Sequence, residues 1–154
     1  QGISLVTQKL IARGEVLLNR RDLIGVGNLI QDATFLGLSN ESVDELRNRL
    51  RQANKLEEQI QKNLSIARSL IQRGFLTEPP YSNAVEALRS VQRLDSDNEE
   101  ANLLLEEIAV KLASIAEMAW EAGLQLEAVK YINLALALDT ENESWKQWKA
   151  EWER

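Results

Sequence analysis

The residues of this chain best placed to do chemistry are acids. Asp95, Asp97, Glu99 and Glu106 fall at positions 1, 3, 5 and 12 of a loop, the spacing with which oxygen ligands cage calcium. The sharp turn of such a cage needs glycine at its sixth position, where this chain has Glu100. Residues beyond Glu99 also read as helix. The run Asp95-Ser96-Asp97-Asn98-Glu99 is therefore expected to cap a helix and offset its dipole, and no metal or other cofactor is expected. Histidine and cysteine are both absent. That removes disulfides, thiolate nucleophiles, the usual zinc ligands and the side chain that most often moves protons near neutral pH. Adjacent carboxylates such as Glu106 and Glu107 read as solvent-facing, and no pair is placed for a raised pKa in a pocket. Without a Gly-rich phosphate loop, a Ser/Lys pair or a dinucleotide fingerprint, the expectation is a chain that catalyses nothing.

Binding is the remaining chemistry. Arg47, Arg51 and Lys55 stand at i, i+4 and i+8, with Arg49 close by. The ordinary reading is a solvated helix face, because charged side chains are mostly exposed. The alternative is a stripe that takes an acidic segment, including the acidic half of another copy. Trp145, Trp148 and Trp152 stand at i, i+3 and i+7, on one face of the last helical stretch. They are expected to cap the final repeat over Leu134, Leu138 and Trp120, because terminal repeats need an atypical closing helix. The alternative is an exposed aromatic stripe for a partner, or the seam of a dimer. The loop at Pro79-Pro80-Tyr81 reads as a spacer, with recognition as its rival. Candidate partner-binding residues are thus Arg47, Arg51, Lys55, Trp145, Trp148 and Trp152.

Composition sets the class in which these residues work. The 154 residues are 44% hydrophobic and 27% charged, which is globular rather than disordered. The net charge is −6, unevenly spread: residues 1–77 carry 11 Lys/Arg against 8 Asp/Glu, and residues 78–154 carry 7 against 16. An acidic chain lacks the basic face that phosphates require, so no nucleic-acid partner is expected. No apolar run of about 18 residues exists, so no membrane insertion is expected. With no initiator Met and no visible signal peptide, the chain reads as a soluble fragment of a longer protein, from cytoplasm or periplasm.

Apolar residues recur at helical spacing almost throughout, and no strand-type alternation is convincing. Helices are expected over about 3–19, 23–36, 43–72, 84–94, 99–122, 126–138 and 143–152. Asn40 or Ser42 suits the N-terminus of the third, and Gly74 its end. The apolar stripe of that third stretch slips at Leu56 and Glu57, which leaves open whether it is one helix or two. Gly25 and Gly27 weaken the second helix unless close packing needs them.

The chain repeats itself. Residues 84–95 read AVEALRSVQRLD and residues 128–139 read AVKYINLALALD, aligned without a gap at an offset of 44. Ser96-Asp97-Asn98 and Thr140-Glu141-Asn142 follow, and Gly74 and Gly123 precede. About five extra residues in the first copy make the Pro-Pro loop. A weaker echo begins at Ala12-Arg13-Gly14 and ends at Leu38-Ser39-Asn40. A period of about 20–50 residues signals stacked units, here helix hairpins that bury their spare apolar face on a neighbour.

The pattern resembles the tetratricopeptide repeat family. Ala84 and Ala128 match its small residue early in the second helix. Leu94-Asp95 and Leu138-Asp139 match the end of a repeat, and Gly123 the turn between helices. Ser96 and Thr140 replace the usual proline, and the spacing of 44 exceeds the family's roughly 34, which implies first helices longer by about three turns. The resemblance implies an all-α fold of stacked antiparallel hairpins in a right-handed solenoid with a C-terminal capping helix. Residues 1–154 would form one such domain, with a degenerate repeat at about 3–54, repeats at about 55–97 and 98–141, and a cap at about 142–154. It also implies a scaffold that binds a peptide or partner domain in a helical groove without chemistry. The second expectation is a spacer or self-association module of a larger bacterial membrane-anchored or envelope protein.

Overall fold

The computed structural model describes residues 2–38 and 41–154. Among the described residues there are seven helices and no strand: α1 (Gly2–Asn19), α2 (Leu23–Phe35), α3 (Glu41–Gln72), α4 (Ala84–Leu94), α5 (Glu99–Glu121), α6 (Gln125–Leu138) and α7 (Glu143–Trp152). The protein is all-α, and α1 packs on α2, α4 on α5, α5 on α6 and α6 on α7, as helix hairpins do. The 43–72 stretch is one continuous helix, with no break where its apolar stripe slips at Leu56 and Glu57. Ser42 lies inside α3 rather than before it, and Asn40 lies outside the described residues, as does the Ser39-Asn40 part of the repeat echo. No helix among the described residues is long and apolar enough to cross a membrane.

The chain forms two compact units, residues 1–59 and 60–154, and the boundary falls within α3. In the first unit, Leu17, Val26, Ile30 and Leu46 make one buried cluster. Ala33, Leu38 and Val43 make another. Gly14 faces α3 closely, since a Cβ there would stand 2.7 Å from Leu46 Cδ2. Asp22 caps α2 by accepting the Gly25 N–H at 2.9 Å, and a Cβ on Gly25 would come within 2.5 Å of that carboxylate. Gly25 is thus explained by its cap, whereas a Cβ on Gly27 would make only ordinary contact with Leu50.

The second unit has a single core. It runs from Ile60, Leu64 and Ala67 of α3 through Leu88, Ile108 and Leu112 to Ile132, Trp145 and Trp152. The aligned copies adopt the same local geometry. Asn98 Oδ1 accepts the Ala101 N–H at 2.9 Å, and its Nδ2 donates to Asp95 Oδ2 at 3.2 Å. Asn142 Oδ1 accepts the Trp145 N–H at 3.1 Å, and its Nδ2 donates to Asp139 Oδ2 at 3.1 Å. Each Asp-x-x-Asn run thus fixes the turn with its first member and starts the next helix with its last. The helices before the short α4 and α6 also stop alike. Gly74 and Gly123, at φ +83° and +80°, donate to Ile71 and Trp120 carbonyls. Phe75 and Leu124 then donate to Leu70 and Ala119 carbonyls at 2.9 Å, completing the paired bonds of a Schellman stop.

Candidate functional site

The basic stripe lies on the N-terminal half of α3, and its members are engaged unequally. Arg47 Nη1 pairs with Asp44 Oδ1 at 2.9 Å, and its Nη2 donates to the Thr34 hydroxyl. Arg49 pairs with Glu15 of α1. Arg51 donates to Asn48 Oδ1 at 3.3 Å, and Lys55 is exposed. The two guanidiniums nearest the start of the stripe are therefore held by carboxylates of their own unit.

The tryptophans form a column against the core. Trp145 and Trp152 are buried and Trp148 is half-buried. The Trp152 ring is stacked on both sides, with Trp120 at 5.2 Å and 15° and with Trp148 at 5.6 Å and 26°. Offset stacking of this kind adds about 0.5–1.5 kcal/mol per pair beyond the area buried. Gln125 Nε2, at the start of α6, donates to the Trp152 carbonyl at 2.6 Å and ties the α5–α6 turn to the end of α7. The remaining polar face of α7 is occupied by its own charges. Lys146 lies 3.4 Å from Glu141 and 3.5 Å from Glu143 and its pKa is raised, first by the Glu141 hydrogen bond.

The Pro-Pro loop is a fixed wall rather than a slack connector. Asn83 is buried, caps α4 through the Glu86 N–H at 3.0 Å, and donates to the Thr77 and Pro79 carbonyls, both at 2.9 Å. The loop encloses a cleft of about 500 Å³ with Phe75 and Leu76 on its own side and Leu112, Ile115 and Tyr131 opposite. Lys130 reaches across to Glu78 at 3.5 Å. No group of three or more carboxylates among the described residues is placed to hold a metal ion.

One surface escaped the sequence reading. Leu126, in the first turn of α6, is 87% exposed, and Leu124 in the preceding turn is 54% exposed. Together with Gln125 and Glu127 they line a shallow depression. The signal was present in the phase of α6. Its buried face is Ala128, Ile132 and Ala135, and Leu126 sits two positions before that face, roughly 200° away around the helix. The chain matches no protein-family model, no curated protein and no solved structure.

Proposed function

We propose that this chain is a non-catalytic interaction scaffold, a divergent tetratricopeptide-like stack of elongated hairpins that binds a peptide or partner segment on its helical surface. The observation that carries this reading is the recurrence in space of the 44-residue pattern. Both Asp-x-x-Asn turns and both glycine stops share one hydrogen-bond geometry, within a single continuous core. Stacked units joined in this way present a surface that is set before a partner arrives, which lowers the ordering cost of binding. The Pro-Pro loop adds to that surface an open cleft of the size usual for binding pockets. Burial of Trp145 and Trp152 within the second unit favours a closing role for α7 over a dimer seam along that helix.

The test is selection of peptides from a random displayed library on the intact folded chain, with heat-unfolded chain as counter-target. The expected result is a family of peptides that share a pattern, compete with one another and bind with Kd below about 100 μM, a free energy beyond about −5.4 kcal/mol. Failure to enrich any peptide over the counter-target removes the scaffold reading.

A further inference from the structure

The α5–α6 corner combines bare apolar surface with an excess of acidic charge. Leu124 and Leu126 flank Gln125, whose side chain is fastened to the end of α7 at Trp152. Trp120, four residues before Leu124, stays 39% exposed although one face of its ring is stacked on Trp152. Glu121 and Glu127 are exposed on either side of the two leucines. No lysine or arginine occurs between Lys111 and Lys130, and Lys130 is paired with Glu78. The end of α7 adds Glu151 and Glu153 against Arg154.

Resting on the scaffold reading, we propose that this corner is a docking site for a cationic apolar segment of a partner protein. Its apolar side chains would cover Leu124 and Leu126, and its Lys or Arg side chains would meet Glu121, Glu127 and the Trp120 ring. The apolar pair supplies area to be taken from water. The carboxylates select the sign of the partner, and tryptophan is the ring that attracts cations most strongly. Charge also argues against the other occupants. A second copy docked through the same corner would set Glu121 and Glu127 against their own equivalents. An anionic lipid surface would meet the same repulsion.

Leu126 is a clean probe because it is exposed, so its replacement leaves the core intact. The probe ligand is a synthetic 16-residue peptide of alternating Leu-rich and Arg-rich turns, with a scrambled peptide of the same composition and an analogue bearing Glu for Arg. Binding is read by tryptophan fluorescence at low and high salt, with circular dichroism to show that each variant is folded. The expected result is binding of the patterned peptide alone. Affinity should fall about tenfold in Leu126→Glu and about fivefold in Glu121→Gln/Glu127→Gln, and weaken as salt shortens the Debye length. Equal binding of the scrambled or acidic peptide overturns the proposal, as does affinity unchanged in Leu126→Glu. A chain that dimerises through Leu126 in light scattering also overturns it, in favour of a second copy. If library peptides bind the chain yet ignore Leu126→Glu, the corner fails while the scaffold reading stands. If no peptide of any kind binds, both fail.

Discussion

In residues 60–154 one apolar cluster joins α3 to α7, and Leu64, Leu88, Ile108 and Ile132 within it are fully shielded. Among the described residues of 1–59 the buried hydrophobic side chains divide into two small clusters, while Ile24 and Phe35 of α2 stand 81% and 90% exposed. The two units are built from the same element, a helix ended by a Schellman stop. They differ in how far one buried cluster runs. Helices α5 and α6 each pack on the helix before and the helix after, and their inward faces share the one cluster, although Leu103, Val110 and Leu126 on their outer faces stay exposed. Helix α2 buries Val26, Ile30 and Ala33 and leaves Ile24 and Phe35 bare on its outer face. Most of the stability of a helix in a folded protein comes from the packing of its apolar face rather than from the helix itself.

The largest expected effect tests that contrast directly. Ile108→Ala, at the centre of the continuous cluster, should cost about 2–5 kcal/mol. Hydrogen exchange should show the loss spread over α4, α5 and α6 together, because they share one core. In the unmodified chain, amides of α1 and α2 should exchange before those of α5. Equal protection in α2 and α5 would break the contrast.

The helix stops sharpen it. At the end of α1 the left-handed position is held by Arg21, at φ +58°, where the later stops use glycine. Its hydrogen bonds are the same: Arg21 N–H to Leu18 and Asp22 N–H to the Leu17 carbonyl at 2.9 Å. A side chain in this conformation costs about 1–2 kcal/mol. Gly123→Ala should therefore destabilise the second unit by about that amount. Arg21→Gly should stabilise the first by up to about 1 kcal/mol, after the flexibility glycine adds to the unfolded chain and the interaction the Arg21 side chain gives up. Denaturant midpoints measured on both variants decide this, and shifts of the same sign would show that the stops are not equivalent.

Removing a cap is smaller still. Asn98→Ala should cost about 1 kcal/mol, and Asn142→Ala about the same, since each loses one bond to a helix N–H and one to its aspartate. A midpoint shift for Asn98 far above that for Asn142 would mean that the turn of one copy does something the other does not.

What the sequence made legible follows the range of the interactions involved. Caps, stops and helix limits are settled within a few residues, so Asn83, Asn98, Asn142, Gly74 and Gly123 were readable from their types and spacing. Arg21 falls in the gap between the expected helices 3–19 and 23–36, but nothing in its side chain signals a left-handed backbone. The continuity of α3 past Leu56 was not decided by its slipped stripe, since an exposed helix tolerates an interruption in apolar phase. Burial of the tryptophan face depends on partners far along the chain, Trp120 and Gln125 among them. Spacing placed the three α7 tryptophans on one face with Trp120 expected beneath them, as found, but gave no sign of the Gln125 bond to the Trp152 carbonyl. The exposed corner at Leu124 and Leu126 was obscured because leucines next to a helix start are usually read as core.

The smallest effect separates two glycines of the first unit that spacing alone cannot tell apart. Gly27 lies in the interior of α2, and a Cβ there would stand 3.9 Å from Leu50 Cδ2, an ordinary contact. Alanine should therefore raise stability by about 0.4–1 kcal/mol, through better helix propensity and a less flexible unfolded chain. Gly14 lies in the interior of α1, where the same gain is available, but the added Cβ would meet Leu46 Cδ2 at 2.7 Å. Leu46 belongs to the buried cluster with Leu17, Val26 and Ile30, so its movement disturbs the packing of three helices. Gly14→Ala should lower stability where Gly27→Ala raises it. Thermal melts of the two variants give the sign directly. Opposite shifts would locate the limiting contact of the first unit at the α1–α3 approach. A gain in both would mean that Leu46 gives way freely, and that this core is looser than its burial suggests.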